Sequence, residues 1–243
     1  MEGVPEIRAG DDLGTICRGH LRATGGLEPW DVVVVTHKVV SKAEGRVSRL
    51  AEVDPGDPAL ALAERVGQDP RMVEVILRES RRVIRAEPGV LITETVQGLV
   101  CANSGVDRSN VGGGELVTCL PLRPDLSAGR LRRAWLDLAQ GGPLGVIISD
   151  TFGRPFREGA VNVAIGAAGL PALSDHRGLR DEQGYLLHAS TIGTADEIAG
   201  IGELVMGKID QVPLAVVRGF TWEGPEEGAD VLQRPAERDI FRR

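Results

Sequence analysis

The clearest feature of the chain is a series of short apolar runs separated by polar turns. Residues Asp31–Thr36 form a continuous run of β-branched side chains, which is typical of a strand buried on both faces. The same pattern recurs at residues 145–149 and at residues 214–219. Residues 90–96 and 99–102 are separated by a two-residue turn that contains glycine, and they predict a β-hairpin.

Apolar residues at helical spacing, together with start and stop signals, predict several helices. Asp57-Pro58 combines an N-cap with a first-turn proline, and Gly67 is placed to end that helix. Asp69-Pro70 repeats the start signal, and an apolar stripe follows it. Residues 131–139 predict a third helix, which places Trp135 on its buried side.

The last helix is predicted from a capping box, in which Thr194 is followed three residues later by Glu197. The spacing assigns four apolar residues to its buried face and ends the helix near Gly207. These four residues are Ile198, Ile201, Leu204 and Val205.

For two other stretches of the chain, the sequence pattern does not predict a strand. The arginines that follow the second helix are interpreted as a solvated face, and residues 159–169 as a glycine-rich segment that allows close backbone packing. The arginines are Arg78, Arg81, Arg82 and Arg85.

Strands and helices alternate unevenly, with hairpin signals among them. This favours an α+β fold with mixed sheets and packed helices over a regular doubly wound sheet. A length of 243 residues fits one large domain or two intimate subdomains, and no repeat or linker divides residues 1–243.

Composition narrows the function classes. Aromatic residues make up 3% of the chain and the net charge is −7, which argues against a nucleic-acid partner and against an anionic membrane. The three cysteines, Cys17, Cys101 and Cys119, lack metal-ligand spacing and are interpreted as buried thiols in a reducing compartment. No signal peptide or membrane-spanning run is present, so we expect a cytoplasmic protein.

Candidate chemistry begins where residues 145–149 end. Asp150 and Thr151 follow this strand, and a carboxylate beside a hydroxyl is a pair of hard oxygen donors suited to Mg²⁺ or Mn²⁺. Arg154 and Arg157 follow in the expected loop, where guanidinium groups suit phosphate oxygens. The alternative is a capped loop with solvated arginines.

Two other segments carry similar groups. Lys38, Ser41, Lys42 and Arg46 follow the strand Asp31–Thr36 and are interpreted either as a phosphate-binding cluster or as a solvated turn. Residues 103–110 contain Asp107 and Asn110, and they predict either a metal-and-phosphate loop or a turn that satisfies its own backbone. Together these groups indicate a metal-dependent nucleotide or phosphate enzyme.

Five blocks of the chain resemble one known family. They are residues 3–6, 39–46, 103–110 and 149–157, and the stretch from Asp196-Glu197 to residues 204–208. The resemblance is to the GTP-dependent coenzyme F-420-0: L-glutamate γ-ligases, and it covers nearly the whole chain in the same order.

The resemblance implies a γ-glutamyl ligase-like fold that forms an intertwined homodimer, without the additional C-terminal flavin-binding domain of some relatives. It also implies the substrates GTP, L-glutamate and the deazaflavin F-420-0. GTP would phosphorylate the terminal carboxylate of F-420-0, the amine of glutamate would attack the acyl phosphate, and further γ-linked glutamates would follow. The implied ions are a divalent metal, Mg²⁺ or Mn²⁺, with two ions expected, and K⁺ as an additional ion.

The resemblance also implies roles for individual residues. The metal ligands would be Asp107, Asp150 and Thr151. The residues of the GTP site would be Val4, Pro5, Glu6, Ile7, His37, Lys42, Asn110, Met206 and Gly207. His37 stands where the family has a serine that approaches GTP. Arg154 and Arg157 are placed near phosphates or the deazaflavin arm on chemical grounds alone.

Two other functions compete with the ligase hypothesis. One is a nucleotide-binding protein without turnover, and the other is a metal-dependent phosphatase that acts on a small phosphate ester. Only the ligase requires both the deazaflavin acceptor and glutamate for the consumption of GTP.

Overall fold

The computed structural model of the chain describes residues 3–23, 25–113 and 115–241. Within these ranges the α-helices are α1 (Leu13–Ala23), α2 (His37–Ala43), α3 (Asp57–Val66), α4 (Pro70–Arg78), α5 (Pro124–Trp135) and α6 (Thr194–Met206). The strands are β1 (Asp31–Thr36), β2 (Val47–Arg49), β3 (Ser80–Glu87), β4 (Val90–Thr95), β5 (Val100–Ala102), β6 (Leu116–Thr118), β7 (Leu144–Arg154), β8 (Arg157–Ala168), β9 (Ser174–Asp175), β10 (Thr191–Ile192) and β11 (Leu214–Val217).

A four-stranded mixed sheet with the order β11-β1-β7-β8 forms the centre of the fold. β1 runs parallel to β7 and antiparallel to β11, and β8 is antiparallel to β7. The buried run predicted for residues 31–36 is confirmed, since Val32 to Val35 are fully inaccessible to solvent. Both faces of this sheet are therefore covered, as a continuous apolar strand requires.

Alternate residues of the central strands pack into two different cores. Val33 and Val146 join a core with α1 and α5, in which Trp135 is completely buried. Val32, Val34 and Ile147 face the opposite side and pack against α6. This alternation follows from the two-residue repeat of a strand.

A second, antiparallel sheet with the order β3-β4-β5 packs with α3 and α4 around a third core. The predicted hairpin is confirmed as β4 and β5. Asp69 caps α4 by accepting a hydrogen bond from the Arg71 amide at 2.9 Å, and Gly67 ends α3 with a left-handed φ of 70°. The N-cap of α3 is Gly56, one residue before the predicted Asp57.

Several boundaries differ from the prediction. The arginine-rich segment interpreted as a solvated face contains an edge strand, β3, whose Arg81 and Arg82 pair with Glu94 on β4. The short strand predicted at residues 145–149 continues to Arg154, and the glycine-rich segment after it is β8. α5 begins at Pro124, a helix-starting proline upstream of the predicted residue 131.

The last helix begins and packs differently from the prediction. Its N-cap is Gly193, with no side-chain cap, because the Thr194 hydroxyl instead bonds to that of Ser174 at 2.6 Å. Ile198 is buried as predicted, but Ile201, Leu204 and Val205 are exposed. Beside Ile198 and Met206, the buried face carries the small residues Ala195, Ala199 and Gly202, which let α6 lie directly on the central sheet.

The α+β class with mixed sheets is confirmed. Among the described helices, none combines the length and the apolar character that a membrane crossing needs.

Candidate active site

A cavity of about 390 Å³ opens where β1 ends and α2 begins. All of the predicted metal ligands and GTP-site residues except Asp107 line it. These are Val4, Pro5, Glu6, Ile7, His37, Lys42, Asn110, Asp150, Thr151, Met206 and Gly207. The structure thus brings together segments that are far apart in sequence, while their roles in binding stay predictions.

Strand pairing explains why Asp150 and Thr151 face this cavity. The parallel register of β1 and β7 ends at Thr36 and Ser149, and β7 continues beyond it as a hairpin with β8. Asp150 therefore lies where its neighbour β1 has given way to α2. The prediction placed this residue at a strand end, and that position is the end of β1 rather than of β7.

The Asp150 carboxylate has one constrained oxygen. Its Oδ1 accepts a hydrogen bond from the Thr151 amide at 2.7 Å and lies 3.2 Å from Nε2 of His37. The Thr151 hydroxyl donates to Oδ1 of Asn162 on β8 at 2.8 Å. These contacts fix both predicted ligands on the rigid hairpin.

The Asp107 carboxylate, unlike that of Asp150, is paired with a lysine. Lys38 Nζ lies 2.5 Å from its Oδ2, and the Ser109 amide and hydroxyl donate to its two oxygens at 2.9 and 2.6 Å. Burial raises the pKa of the Asp107 carboxyl, but these hydrogen bonds outweigh it and lower the pKa to about 2. The carboxylate is therefore ionised and already paired with a cation.

Besides Lys38, two basic residues border the cavity with partners of their own. Lys42 on α2 pairs with Glu6 at 2.6 Å and so ties the N-terminal segment to α2. Lys208, just after α6, lies with its Nζ 3.4 Å from the Thr151 hydroxyl, and its carbonyl accepts from Asn110 at 3.4 Å. Positive charge therefore converges on the cavity from two sides.

Comparison with known proteins identifies the family of the chain. Residues 3–219 match the model of the family described as F420-0:Gamma-glutamyl ligase. The chain belongs to this family. Proteins named Coenzyme F420:L-glutamate ligase from Methanothermobacter thermautotrophicus and Methanopyrus kandleri are each 46% identical to it, over 100% of the chain and 97% of the relative. The protein of that name from Methanocaldococcus jannaschii is 39% identical over 98% of the chain and 94% of its own length.

Membership of the F420-0:Gamma-glutamyl ligase family confirms the predicted resemblance and the class of enzyme, a ligase that forms an amide bond. Nothing in these matches supports the phosphatase or the non-catalytic binding protein.

In this family member, two oxygen-bearing residues that the sequence did not single out also line the cavity. Asn162 donates to Oε2 of Glu203 at 2.9 Å and lies 3.3 Å from the Ser149 hydroxyl. No sequence pattern pointed to Asn162, because its strand was not recognised. Glu203 could have been found, because it is a carboxylate in the last turn of the final helix, three residues before the predicted Met206.

The donor chemistry fits a divalent ion. Asp150, Thr151, Asn162 and Glu203 offer carboxylate, hydroxyl and amide oxygens, which are the hard donors that Mg²⁺ and Mn²⁺ prefer. No three His, Cys, Asp or Glu side chains in the described ranges are close enough to hold a metal ion. A metal here would therefore rely on hydroxyl or amide oxygens, water or substrate as well as on carboxylates.

Arg154 and Arg157 do not line the cavity. Arg154 donates to the carbonyls of Gly159, at 2.9 Å, and Glu158, which closes its own hairpin, and Arg157 is exposed. The placement of Arg154 near a phosphate or the deazaflavin arm stays a prediction, and in this structure its guanidinium stabilises the turn.

Proposed function

We propose that this protein uses GTP and a divalent metal to join L-glutamate to the terminal carboxylate of F420-0. The observation that carries the proposal is the single cavity that unites residues 4–7, α2, the β7–β8 hairpin and the end of α6. Its volume of about 390 Å³ lies in the usual range for small-molecule sites. Family membership supplies the acceptor and the amino acid.

The proposed reaction has two steps. An oxygen of the F420-0 carboxylate attacks the γ-phosphorus of GTP, so that an acyl phosphate forms and GDP leaves. The amine nitrogen of glutamate then attacks the acyl carbon, the amine loses a proton, and inorganic phosphate leaves with the former carboxylate oxygen. Phosphoryl transfer of this kind depends mainly on positioning and on charge stabilisation.

The residues that line the cavity suit these tasks. Asp150, Thr151 and Glu203 would hold the divalent ion, which when bound offsets the negative charge of the phosphate oxygens. Lys42 and Lys208 would add positive charge to the nucleotide site. Val4, Pro5, Ile7 and Met206-Gly207 would form its uncharged borders, with Glu6 paired with Lys42. Asp107 would act as a metal ligand while it is paired with Lys38.

An assay that omits one component at a time tests the proposal. Purified protein is incubated with F420-0, L-glutamate, GTP and Mg²⁺ or Mn²⁺, with KCl or NaCl as the salt, and mass spectrometry follows the acceptor. We expect a mass increase of one glutamyl unit, or of successive units, only when all components are present. Release of phosphate without glutamate would indicate a phosphatase, and GTP binding without any turnover would indicate a binding protein.

Isotope transfer tests the acyl phosphate. When the F420-0 carboxylate is labelled with ¹⁸O, one labelled oxygen is expected in the inorganic phosphate that leaves. Unlabelled phosphate would show that GTP is hydrolysed separately from amide formation, and would contradict this step.

We also propose that the protein forms a homodimer. Ile201, Leu204 and Val205 leave an apolar face of α6 in solvent, with Leu204 86% exposed, and Ile209 extends this face to the cavity. Clustered apolar exposure of this kind is typical of interaction surfaces. The Leu204→Glu variant is expected to shift the sedimentation of the protein from dimer to monomer. Leu60→Glu, at an exposed leucine of α3, is the matched control and is expected to leave the dimer intact.

We place the reaction in the cytoplasm. The three cysteines are free and buried, and burial raises the pKa of the Cys17 and Cys101 thiols to about 12 and that of Cys119 to about 11. Such thiols stay protonated and suit a reducing compartment.

A further inference from the structure

The side chain of His37 is almost completely buried, although the residue borders the cavity. Only 2% of the side chain is exposed, so little of the ring is left to contact a nucleotide. Its two nitrogens are both engaged within the protein. Nε2 lies 3.2 Å from Oδ1 of Asp150, and Nδ1 lies 3.3 Å from the hydroxyl of Ser41, which is itself fully buried.

The carboxylate partner requires a hydrogen on Nε2 of the ring. An ionised carboxylate only accepts hydrogen bonds, so a favourable contact with Asp150 needs the hydrogen on Nε2. The other nitrogen faces the Ser41 hydroxyl, which can donate or accept a hydrogen bond. Because Ser41 lies one turn after His37 on α2, the helix itself holds the pair in place.

The contact leaves the two oxygens of Asp150 unequal. Oδ1 receives the Thr151 amide at 2.7 Å and faces His37, whereas no described residue donates to Oδ2. The carboxylate lines the cavity, so Oδ2 is the oxygen left for a ligand there.

We propose that His37 is a positioning residue that orients the Asp150 carboxylate, with Ser41 holding the ring, so that Oδ2 is presented to a divalent cation in the cavity. This inference rests on the metal site of the proposed function. In this role His37 contacts Asp150 and not GTP. Outer partners of this kind are typically worth about 10–100-fold in metal affinity.

Binding of Mn²⁺ alone to the full-length protein, measured by electron paramagnetic resonance, tests the proposal without turnover. We expect His37→Ala to weaken Mn²⁺ binding by about 10–100-fold. We expect His37→Gln to restore most of the affinity, because its side-chain amide can donate in place of Nε2. His188→Ala, at an exposed histidine, is the matched control and is expected to bind like the wild type.

The outcomes separate the two proposals. If the wild type binds no Mn²⁺, both the metal site and the positioning role are overturned. If the wild type binds Mn²⁺ and His37→Ala binds it equally well, the metal site stands and the positioning role is overturned. Equal losses in His37→Ala and His37→Gln would also overturn it, because the donor would not matter.

A second measurement needs no substitution at a buried site. Nitrogen-15 NMR of histidine-labelled wild-type protein at neutral pH reports which ring nitrogen carries the hydrogen, and only four histidines require assignment. We expect His37 to carry a hydrogen on Nε2. A hydrogen on Nδ1 alone would contradict the proposed contact with Asp150.

Discussion

The two walls of the cavity are built by different forces. The sheet wall consists of Asp150, Thr151 and Asn162 on the β7–β8 hairpin, where backbone pairing sets Thr151 opposite Asn162. The loop wall is the segment of residues 107–110, which reaches the cavity through Asn110. An isolated bridge between Asp107 and Thr118 joins the loop wall to β6, and side chains, including the Lys38–Asp107 ion pair, provide further contacts.

The difference explains how two carboxylates with the same predicted role can behave differently. Asp150 is held by a backbone amide and a buried ring, and keeps one oxygen open to the cavity. Asp107 is held by Lys38, and its loop is tied to α4 by Arg108, which pairs with Asp69 at 3.1 Å. The sheet wall should therefore respond to packing changes, and the loop wall to charge, salt and pH.

The largest effect is expected from Asp150→Asn on the sheet wall. The amide keeps an acceptor for the Thr151 amide but is a much poorer ligand for a divalent metal. Loss of several kcal/mol of charge stabilisation predicts a fall in kcat of about 1000-fold or more. Turnover and circular dichroism are measured together, with Asp181→Asn on an exposed loop as control. Near-normal activity at saturating Mg²⁺ or Mn²⁺ would remove Asp150 from the metal site.

A smaller effect, on the free energy of unfolding, is expected from a packing change behind the sheet wall. A Cβ at Gly202 on α6 would approach Val34 of β1 to 2.8 Å, so Gly202→Ala must move the helix that carries Glu203. Overpacking lowers the free energy of unfolding by about 1–3 kcal/mol. The higher helix propensity of alanine raises it by about 1 kcal/mol, so a net loss is expected.

Gly200→Ala is the matched control, because nothing lies within 4 Å of a Cβ at that position of the same helix. Denaturant unfolding should show Gly200→Ala stabilised by about 1 kcal/mol. Loss of stability in both variants would mean that close packing on Val34 is not the cause.

The loop wall is tested through Asp69. The Asp69→Ala variant loses an N-cap, worth about 1 kcal/mol, and ion pairs worth a few tenths each, so a loss of about 1–2 kcal/mol is expected at pH 7. The hydrogen bond from Arg71 lowers the pKa of Asp69 from 3.8 to about 2. Its ionic contribution is therefore complete above about pH 4 and is lost as the pH falls towards 2.

Urea unfolding at pH 6 and pH 3 measures this dependence. Asp69→Asn is the matched control: it keeps a capping side chain without the charge, so its deficit relative to the wild type should be smaller than that of Asp69→Ala. The deficits of both variants should shrink at pH 3 and at high salt. A deficit that is the same under all conditions would show that charge does not hold the loop wall.

The smallest effect is expected from Arg154→Ala. Among the described residues, this arginine bonds only to carbonyls of its own exposed hairpin turn, so the stability loss should not exceed about 1 kcal/mol. Steady-state kinetics should show an unchanged KM for GTP. A large increase in that KM would instead show that Arg154 takes part in GTP binding.

Much of the fold was predictable where local signals agree with the tertiary structure. The valine run of β1, the Asp69 cap and the β4–β5 hairpin were all confirmed. β8 was not predicted, because its glycine- and alanine-rich sequence has little strand preference of its own and is held by pairing with β7. The exposed side of α6 was also mistaken for its buried side, since both sides are apolar.

The site was predictable in part for a related reason. Asp150, Thr151 and Lys42 follow recognisable strands, so chemistry at strand ends pointed to them. Asn162 lies on the unrecognised β8, and the Lys38–Asp107 pair joins residues that no local pattern connects. Long-range contacts of this kind are set by topology, which the periodicity of a single sequence does not encode.

The pairing of β1 has a consequence for how the chain folds. β1 lies near the amino end, yet its hydrogen-bonded neighbours are β7 from the middle of the chain and β11 from near its end. Chains with such distant contacts fold slowly, because long loops must close before the contacts stabilise anything. During synthesis the pairing of β1 with β11 must therefore wait until β11 leaves the ribosome, and the cavity at the end of β1 would be among the last features to form.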